Sequence, residues 1–133
     1  MAVFLDSPGR SPFVVREWAA WLTQMVAVSI PSVEFTVNLV LVDDACIAEL
    51  NARALGCPGP TNVISFPAPD FVEGSPAEIY LSLDSLRREC CLYGQALDTH
   101  AKRLLAHGLA HALGYDHGPE MDALTSDMLR QVK

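Results

Sequence analysis

The segment from Thr99 to His117, THAKRLLAHGLAHALGYDH, constrains the fold of this chain more than any other. Apolar residues recur in it at helical spacing and predict a helix over about Thr99–Leu113 with one buried face, formed by Ala101, Leu105, Leu109 and Ala112. Gly108 lies inside this helix, where glycine costs about 1 kcal/mol relative to alanine, so we expect another part of the chain to approach its backbone closely. Gly114 then predicts the left-handed residue that ends a helix.

Three of the four histidines of the chain, His107, His111 and His117, lie in this segment away from the apolar face. At about 100° per residue, His107 and His111 are only about 40° apart, and side chains four residues apart lie about 5–6 Å from one another. A chain reversal at Gly114 brings His117 back towards them. Three neutral imidazoles that leave a fourth position for water are typical of a catalytic zinc site. The sequence therefore predicts one zinc ion held by these three side chains.

A simpler interpretation is that the histidines are solvated side chains on the polar face of an amphipathic helix. We apply that interpretation to His100, which lies two turns before His107 on the same face. For the other three histidines, the mid-helix Gly108 and the Gly-then-His ending favour the metal site over the solvated face.

The pattern HxxxHxxGxxH has the ligand spacing of the metzincin zinc proteases, HExxHxxGxxH, with one difference. The glutamate that acts as general base in those enzymes is replaced by Gly108, which argues against proteolysis. Asp116 is the nearest acidic residue and a candidate general base. It is equally consistent with an outer residue that orients a histidine, or with plain solvation.

The rest of the chain alternates helices with short strands and contains no repeat and no linker. The order predicts one α+β domain over residues 1–133, with a small mixed sheet packed by about five helices and a metzincin-like metal helix. The predicted elements are a helix that Ser11 and Pro12 begin and Pro31 ends, a strand at about Phe35–Val42, a helix capped by Asp43 or Asp44, a strand at Asn62–Phe66, a loop at Pro67–Pro76, a strand at Glu78–Leu83, and helices at Ser85–Tyr93 and Pro119–Gln131.

Charge and apolar content limit the class of protein. Nine basic and sixteen acidic residues give a net charge of −7, which counts against a nucleic-acid partner unless a bound cation changes the local field. No apolar run reaches the roughly 18 residues that span a bilayer, and MAVFLDSPGR does not have the form of an export signal. We therefore expect a cytoplasmic protein without a membrane partner. The four cysteines form no CxxC pair, which favours reduced, structural thiols.

HGLAHALGYDH resembles the closing motif of the YbeY family of bacterial endoribonucleases and rRNA maturation factors, HGxLHLxGYDH, with Ala110 and Ala112 in place of bulkier apolar residues. Upstream, VNLVLVDDACIAELN and PTNVISFP are similar to the family's first strand, helix and second strand, so the resemblance spans about Phe35 to Leu129. It implies a zinc-dependent, single-strand-specific RNase that matures the 3′ end of 16S rRNA and takes part in ribosome quality control.

The family resemblance also assigns residues and partners. It implies that His107, His111 and His117 hold a single zinc in a cleft between a helix and the sheet edge, and that rRNA and the small ribosomal subunit are the partners, with no DNA partner. In the PTNVISFP segment it points to three candidate substrate-binding residues, Thr61, Asn62 and Ser65.

Two positions depart from the family pattern on the substrate side. The family usually carries a tyrosine-arginine pair thought important for RNA cleavage, and this chain has Ala54 and Leu55 there. An arginine would clamp a phosphate and its developing charge, and Arg53 would point elsewhere on a helix. The second departure is Ala77-Glu78 where the family has Gly-Asp. The metal site is therefore a firmer prediction than the rate of RNA cleavage.

Two other classes of function stay open. The missing arginine and the acidic charge favour a ribosome-assembly binding factor whose metal is structural or weakly catalytic. A metallohydrolase of peptides or small molecules also fits three histidine ligands, although Gly108 occupies the position of its general base.

Overall fold

The computed structural model describes residues 2–5, 11–29, 36–68 and 75–132. Helices and a small mixed sheet confirm the predicted α+β class. The elements in chain order are β1 (Ala2–Leu5), α1 (Val15–Ser29), β2 (Val37–Val42), α2 (Asp44–Leu55), β3 (Val63–Phe66), β4 (Ala77–Ser82), α3 (Leu83–Tyr93), α4 (Leu97–Ala112) and α5 (Pro119–Gln131).

The sheet has the strand order β1-β2-β4-β3. β1, β2 and β4 run parallel, and β3 pairs antiparallel with β4, with Ser65 opposite Ile79. Strand β1 was not predicted from the sequence. Its segment AVFL is only four residues long, and its partner β2 lies more than thirty residues further along the chain. β3 is an edge strand, and α4 packs beside it.

The main core lies on one face of the sheet. β2 and β4 alternate in side-chain direction, and their residues on this face are completely buried under α1 and α4, with α5 packed against both helices. The strand residues of this core are Val37, Leu39, Leu41, Ala77, Ile79 and Leu81. α2 covers the opposite face, where Ile47 packs with Val42 and Ile64. Helices therefore cover both faces of the sheet. The histidine-bearing helix α4 lies beside the edge strand β3, and this is where the candidate site forms.

Two helix starts show how well local signals predicted boundaries. Asp43 caps α2 as expected, since its carboxylate accepts the Cys46 N–H at 2.8 Å. The predicted start of α1 at Ser11 is wrong. The Ser11 hydroxyl donates to the Phe13 carbonyl at 2.6 Å and accepts the Trp18 indole N–H at 2.9 Å, so it closes a turn ahead of the helix.

The other described boundaries lie within two residues of the prediction. Helix α3 begins two residues early, because Ser82, the last residue of β4, caps it by accepting the Ser85 N–H. Pro31, Phe35 and positions 69–74 of the predicted loop lie outside the described residues. In the described ranges, no helix has both the length and the apolar character needed to cross a bilayer.

Candidate metal centre

Helix α4 presents the predicted faces. Its apolar residues are buried in the main core, and His107 and His111 lie half-buried on the other side. The close approach expected at Gly108 comes from the sheet. A Cβ atom at this position would lie 2.9 Å from Val63 Cγ2 and 3.0 Å from Ile79 Cγ2. The Ser65 hydroxyl also donates to the Gly108 carbonyl at 2.6 Å. The position of the protease glutamate therefore faces β3 and β4.

The end of α4 turns the chain back in the predicted way. Gly114 has a φ of +95°, which side chains rarely adopt. Its N–H donates to the His111 carbonyl at 2.9 Å, and the Tyr115 N–H donates to the Ala110 carbonyl at 3.0 Å. This pair of bonds is a Schellman motif. It fixes the direction of the short segment that carries His117.

The three predicted ligands converge at this turn. His107 Nε2 and His111 Nε2 are 3.2 Å apart. The candidate ligand nitrogens of all three histidines lie within 4.8 Å of one another, with His117 exposed to solvent. The His117 ring centroid is 4.9 Å from that of His111 and 5.3 Å from that of His107.

Backbone geometry sets the tautomer of His111. Its Nδ1 lies 3.0 Å from the Tyr115 carbonyl oxygen, which can only accept a hydrogen bond. Nδ1 therefore donates, and Nε2 keeps its lone pair for a ligand. Sequence reasoning missed Tyr115, because no side-chain type signals a role for a carbonyl. The only signal was Gly114, which places that carbonyl.

Burial lowers the pKa of His107, and the neighbouring imidazoles of His111 and His117 lower it further. A lowered pKa favours the neutral imidazole, which is the form that binds a metal. A tetrahedral zinc with bonds of about 2.0–2.1 Å separates its nitrogen ligands by about 3.4 Å. The separation of 3.2 Å between His107 and His111 fits this value. A set of three imidazoles suits zinc better than magnesium or calcium, which prefer oxygen ligands.

Two cavities adjoin the histidines. One of about 800 Å³ follows the turn from Leu113 to Glu120 and includes His117. The other, of about 410 Å³, lies between the end of α2, β3 and the turn, and its walls include Leu55, Ser65 and His111. Asp116 is exposed and borders both cavities. The roles of general base, orienting residue or solvated side chain stay predictions for Asp116.

The three candidate substrate residues occupy different places. Ser65 lines the cavity that includes His111. The Thr61 carbonyl accepts a hydrogen bond from the Ser85 hydroxyl at 3.3 Å, and Thr61 does not line any of the cavities described at the histidines. Asn62 borders a third cavity, of about 240 Å³, that also includes His107. Ser65 and Asn62 are therefore the two that reach cavities at the histidines.

The interpretation of His100 as a solvated side chain is wrong. His100 is 5% exposed, and its Nε2 lies 2.8 Å from Glu89 Oε1. The physical reason is that α3 packs against this face of α4 and supplies the carboxylate. Helical spacing placed His100 on the correct face, but it gave no sign of the helix that covers that face. Glu89 was missed for the same reason.

Leu55, the position at which the resemblance to the YbeY family predicts an arginine, lies in the wall of the cleft. It is 56% exposed and shares the cavity of about 410 Å³ with His111. Arg53 is not among the residues that line this cavity, and it pairs with Glu49 at 3.5 Å on the exposed surface of the helix. Glu78, the second departure, accepts a hydrogen bond from the Tyr80 hydroxyl at 3.0 Å and borders a separate cavity.

Comparison with known proteins agrees with this geometry. Residues 10–132 match the family model described as Endoribonuclease YbeY. Two similar proteins carry the name Endoribonuclease YbeY. The protein of Nitratidesulfovibrio vulgaris is 46% identical over 108 residues, or 67% of each chain. That of Lawsonia intracellularis is 40% identical over 124 residues, or 93% of this chain and 90% of the relative.

A solved structure has the same fold. The solution structure of TM1509 from Thermotoga maritima matches with a TM-score of 0.67 and covers 99% of this chain and 89% of its own. The identity of 23% makes this a likeness of fold alone.

Proposed function

This chain belongs to the YbeY endoribonuclease family, and on that premise we propose that it is a zinc-dependent endoribonuclease specific for single-stranded RNA. Its substrate is rRNA, cut during maturation of the 16S 3′ end and in ribosome quality control. The proposal makes the small ribosomal subunit its partner and the cytoplasm its location, where that substrate is made.

The observation that carries the proposal is the convergence of His107, His111 and His117 on one point at the mouth of a cleft. Zinc held there would supply a Lewis acid that polarises a phosphoryl oxygen of the RNA. The chain's own residues prepare the site. The Tyr115 carbonyl sets the His111 tautomer, and burial lowers the pKa of His107, which favours its neutral form.

The Schellman turn and the contact between Gly108 and β3 support the same function by fixing where the ligands lie. Rigid placement of metal ligands by packed elements is what a catalytic site needs. Because position 108 packs against the sheet, a glutamate there has no room beside the histidines, and peptide hydrolysis has no support from this geometry.

Metal analysis followed by RNA cleavage tests the proposal. We expect about one zinc per chain after purification without chelator, and cleavage of single-stranded 16S rRNA fragments. His111→Ala should lose both zinc and cleavage while keeping its helical circular dichroism. His100→Gln is the matched control for metal content, since His100 is a histidine of the same helix outside the cluster. Less than half an equivalent of zinc in wild type would contradict the metal site.

The RNA product ends add chemical detail. A 2′,3′-cyclic phosphate would show that the neighbouring 2′-hydroxyl attacks the scissile phosphate. A 5′-phosphate with a free 3′-hydroxyl would exclude that route.

A second candidate, a ribosome-assembly binding factor with a structural or weakly catalytic metal, is favoured by Leu55 in the cleft and by the net charge of −7. It predicts that folded His111→Ala still binds the small subunit and still supports processing. If loss of zinc abolishes processing while binding persists, this candidate fails.

A further inference from the structure

A cavity of about 240 Å³ lies between α3 and the face of α4 that carries the metal ligands, and His107 forms part of its wall. We call it the α3–α4 cavity. Its other polar walls are Asn62, Glu89, Tyr93, His100 and Arg103. Because His107 also belongs to the histidine cluster, a molecule at the metal extends into this cavity without leaving the protein surface.

Arg103 is the cation of the α3–α4 cavity. It lies one helical turn before His107 on the same face of α4, and its side chain is exposed. Arg53, Arg88 and Arg130 pair with Glu49, Asp44 and Asp127.

Within the described residues, no carboxylate forms such an ion pair with Arg103. An unpaired guanidinium beside the histidines is free to form two parallel hydrogen bonds to a phosphate.

Part of the cavity wall is held by internal hydrogen bonds, while His100 Nδ1 is buried without a hydrogen-bond partner among the described residues. Glu89 Oε1 lies 2.8 Å from His100 Nε2, and the Asn62 amide donates to both Glu89 oxygens at 3.3 and 3.4 Å. Since a carboxylate only accepts, His100 Nε2 carries the hydrogen. This network joins α3 and α4 to the start of β3 and holds the cavity walls in place, and Arg103 is the exposed cation among the lining residues.

Tyr93 gives the cavity an aromatic surface. It ends α3, is 64% exposed, and its ring meets the His100 ring edge to face at 6.2 Å. Such contact orients the ring while its outer face stays open to solvent. Proteins that bind single-stranded nucleic acid without strict sequence preference use this kind of ring to stack a base, together with a cation for the backbone.

We propose that the α3–α4 cavity binds one nucleotide of single-stranded RNA next to the scissile phosphate, with Arg103 paired to a backbone phosphate and Tyr93 stacked on the base. The inference rests on the proposed function. It places the phosphate-binding cation at His107, whereas Leu55 occupies the cavity at His111. The RNA strand then crosses the histidine cluster from one cavity to the other.

Binding of a fluorescein-labelled, eight-nucleotide single-stranded RNA to the zinc-loaded protein tests the subsite, with the probe checked on a gel for intactness. Arg103→Gln should raise Kd at least fivefold at low salt. It should also reduce the slope of log Kd against log salt by about 0.7, the value for one lost phosphate contact on a single strand. Arg130→Gln is the matched control, since it removes the same charge from an exposed helix position, and its Kd should stay within twofold of wild type.

Tyr93 provides a second, uncharged test. Tyr93→Ala should raise Kd about fivefold or more, because it removes a stacking surface. Tyr93→Phe keeps the ring and should bind like wild type. Equal weakening by Arg103→Gln and Arg130→Gln, or equal binding by Tyr93→Ala and wild type, would overturn the subsite.

The outcome separates this inference from the function on which it rests. RNA that binds through Arg103 and Tyr93 but is never cut supports the subsite and contradicts the nuclease. RNA that is cut, but whose Kd is unchanged by substitution of either residue, supports the nuclease and contradicts the subsite. Failure of wild type to bind RNA at all overturns both.

Discussion

At the scale of single residues, Gly108 links the fold to the site. It lets β3 approach α4 closely enough for the Ser65 hydroxyl to reach the Gly108 carbonyl at 2.6 Å. The same approach forms one side of the cleft at His111. Gly108 therefore lowers the intrinsic stability of the helix but allows the sheet to pack close to the predicted metal ligands.

Gly108→Ala should destabilise the protein by up to about 2 kcal/mol. Alanine gains about 1 kcal/mol in helix propensity, but its Cβ would lie 2.9 Å from Val63 Cγ2 and 3.0 Å from Ile79 Cγ2, and overpacking typically costs about 1–3 kcal/mol. Urea denaturation measures the difference. Val63→Ala in the same chain removes one of the two methyl groups, so the pair should lose less stability than the sum of the single changes. A Gly108→Ala variant about 1 kcal/mol more stable than wild type, the gain in helix propensity alone, would show that the strand moves away freely.

Leu55→Arg should raise the rate of RNA cleavage. Position 55 borders the same cavity as His111, and an arginine there adds a donor for the charge that develops on the phosphate. Removing one such donor from an enzyme typically lowers the rate by about 100-fold or more. We expect Leu55→Arg to raise the cleavage rate by about tenfold. Single-turnover cleavage of an rRNA fragment gives the rate. Leu55→Gln, polar but uncharged, should give little of this gain. No gain with arginine would mean that a cation elsewhere already fills the role.

At the scale of elements, side-chain hydrogen bonds connect the first turns of α2 and α3. Asp84 accepts the Asp44 N–H at 2.9 Å, and the Asp44 carboxylate accepts the hydroxyls of Ser82 and Ser85 at 2.9 and 3.2 Å. Arg88 closes the cluster with a hydrogen bond to Asp44 at 2.9 Å. The two helices lie at the ends of β2 and β4, which are neighbours in the sheet. This exchange therefore fixes how α2 and α3 leave the sheet.

The pKa of Asp44 is lowered from its ordinary value, first by the hydrogen bond from Arg88 and then by those from Ser82 and Ser85, against an opposing effect of burial. A lowered folded-state pKa contributes stability above the unfolded value of about 3.9, and that contribution disappears as pH falls through the folded value. Asp44→Asn should therefore be less stable than wild type at pH 7, and the difference should shrink as the pH falls from about 4 through the lowered folded-state pKa. Urea denaturation at pH 7, 5 and 3.5 measures the difference. A pH-independent difference would mean that packing, not ionisation, is responsible.

Local sequence patterns predicted the helices, most of the strands and the three histidine ligands. They did not predict contacts between side chains or strands that are distant in the sequence. The histidine cluster was predictable because all three ligands come from one helix and the turn at its end, where spacing fixes geometry. His100 was misjudged because Glu89 reaches it from another helix. β1 was missed because four residues carry little periodicity, and a parallel partner leaves no turn signal between the strands.

At the scale of the whole molecule, a net negative charge and an RNA substrate are compatible if positive charge is concentrated at the site that binds the RNA. Sixteen acidic and nine basic residues make the chain repel a polyanion on average. A zinc ion at the histidines and Arg103 beside His107 would concentrate positive charge on one face of α4. The total charge of a chain therefore says less about an RNA site than the charge of the face that holds it.

Zinc should stabilise the whole fold through the turn between α4 and α5. A ligand that binds only the folded state stabilises it by about 2.7 kcal/mol at 100 times its Kd, or a rise in Tm of roughly 10 °C for a chain of this size. After dialysis against chelator, added zinc should therefore raise the Tm of wild type in a calorimeter, and magnesium at the same concentration should leave it unchanged because imidazole nitrogens are poor ligands for it. His111→Ala is the control, since it keeps the other two histidines and loses the one whose orientation Tyr115 fixes. Equal zinc-induced rises in wild type and His111→Ala would place the bound metal somewhere other than the cluster of His107, His111 and His117.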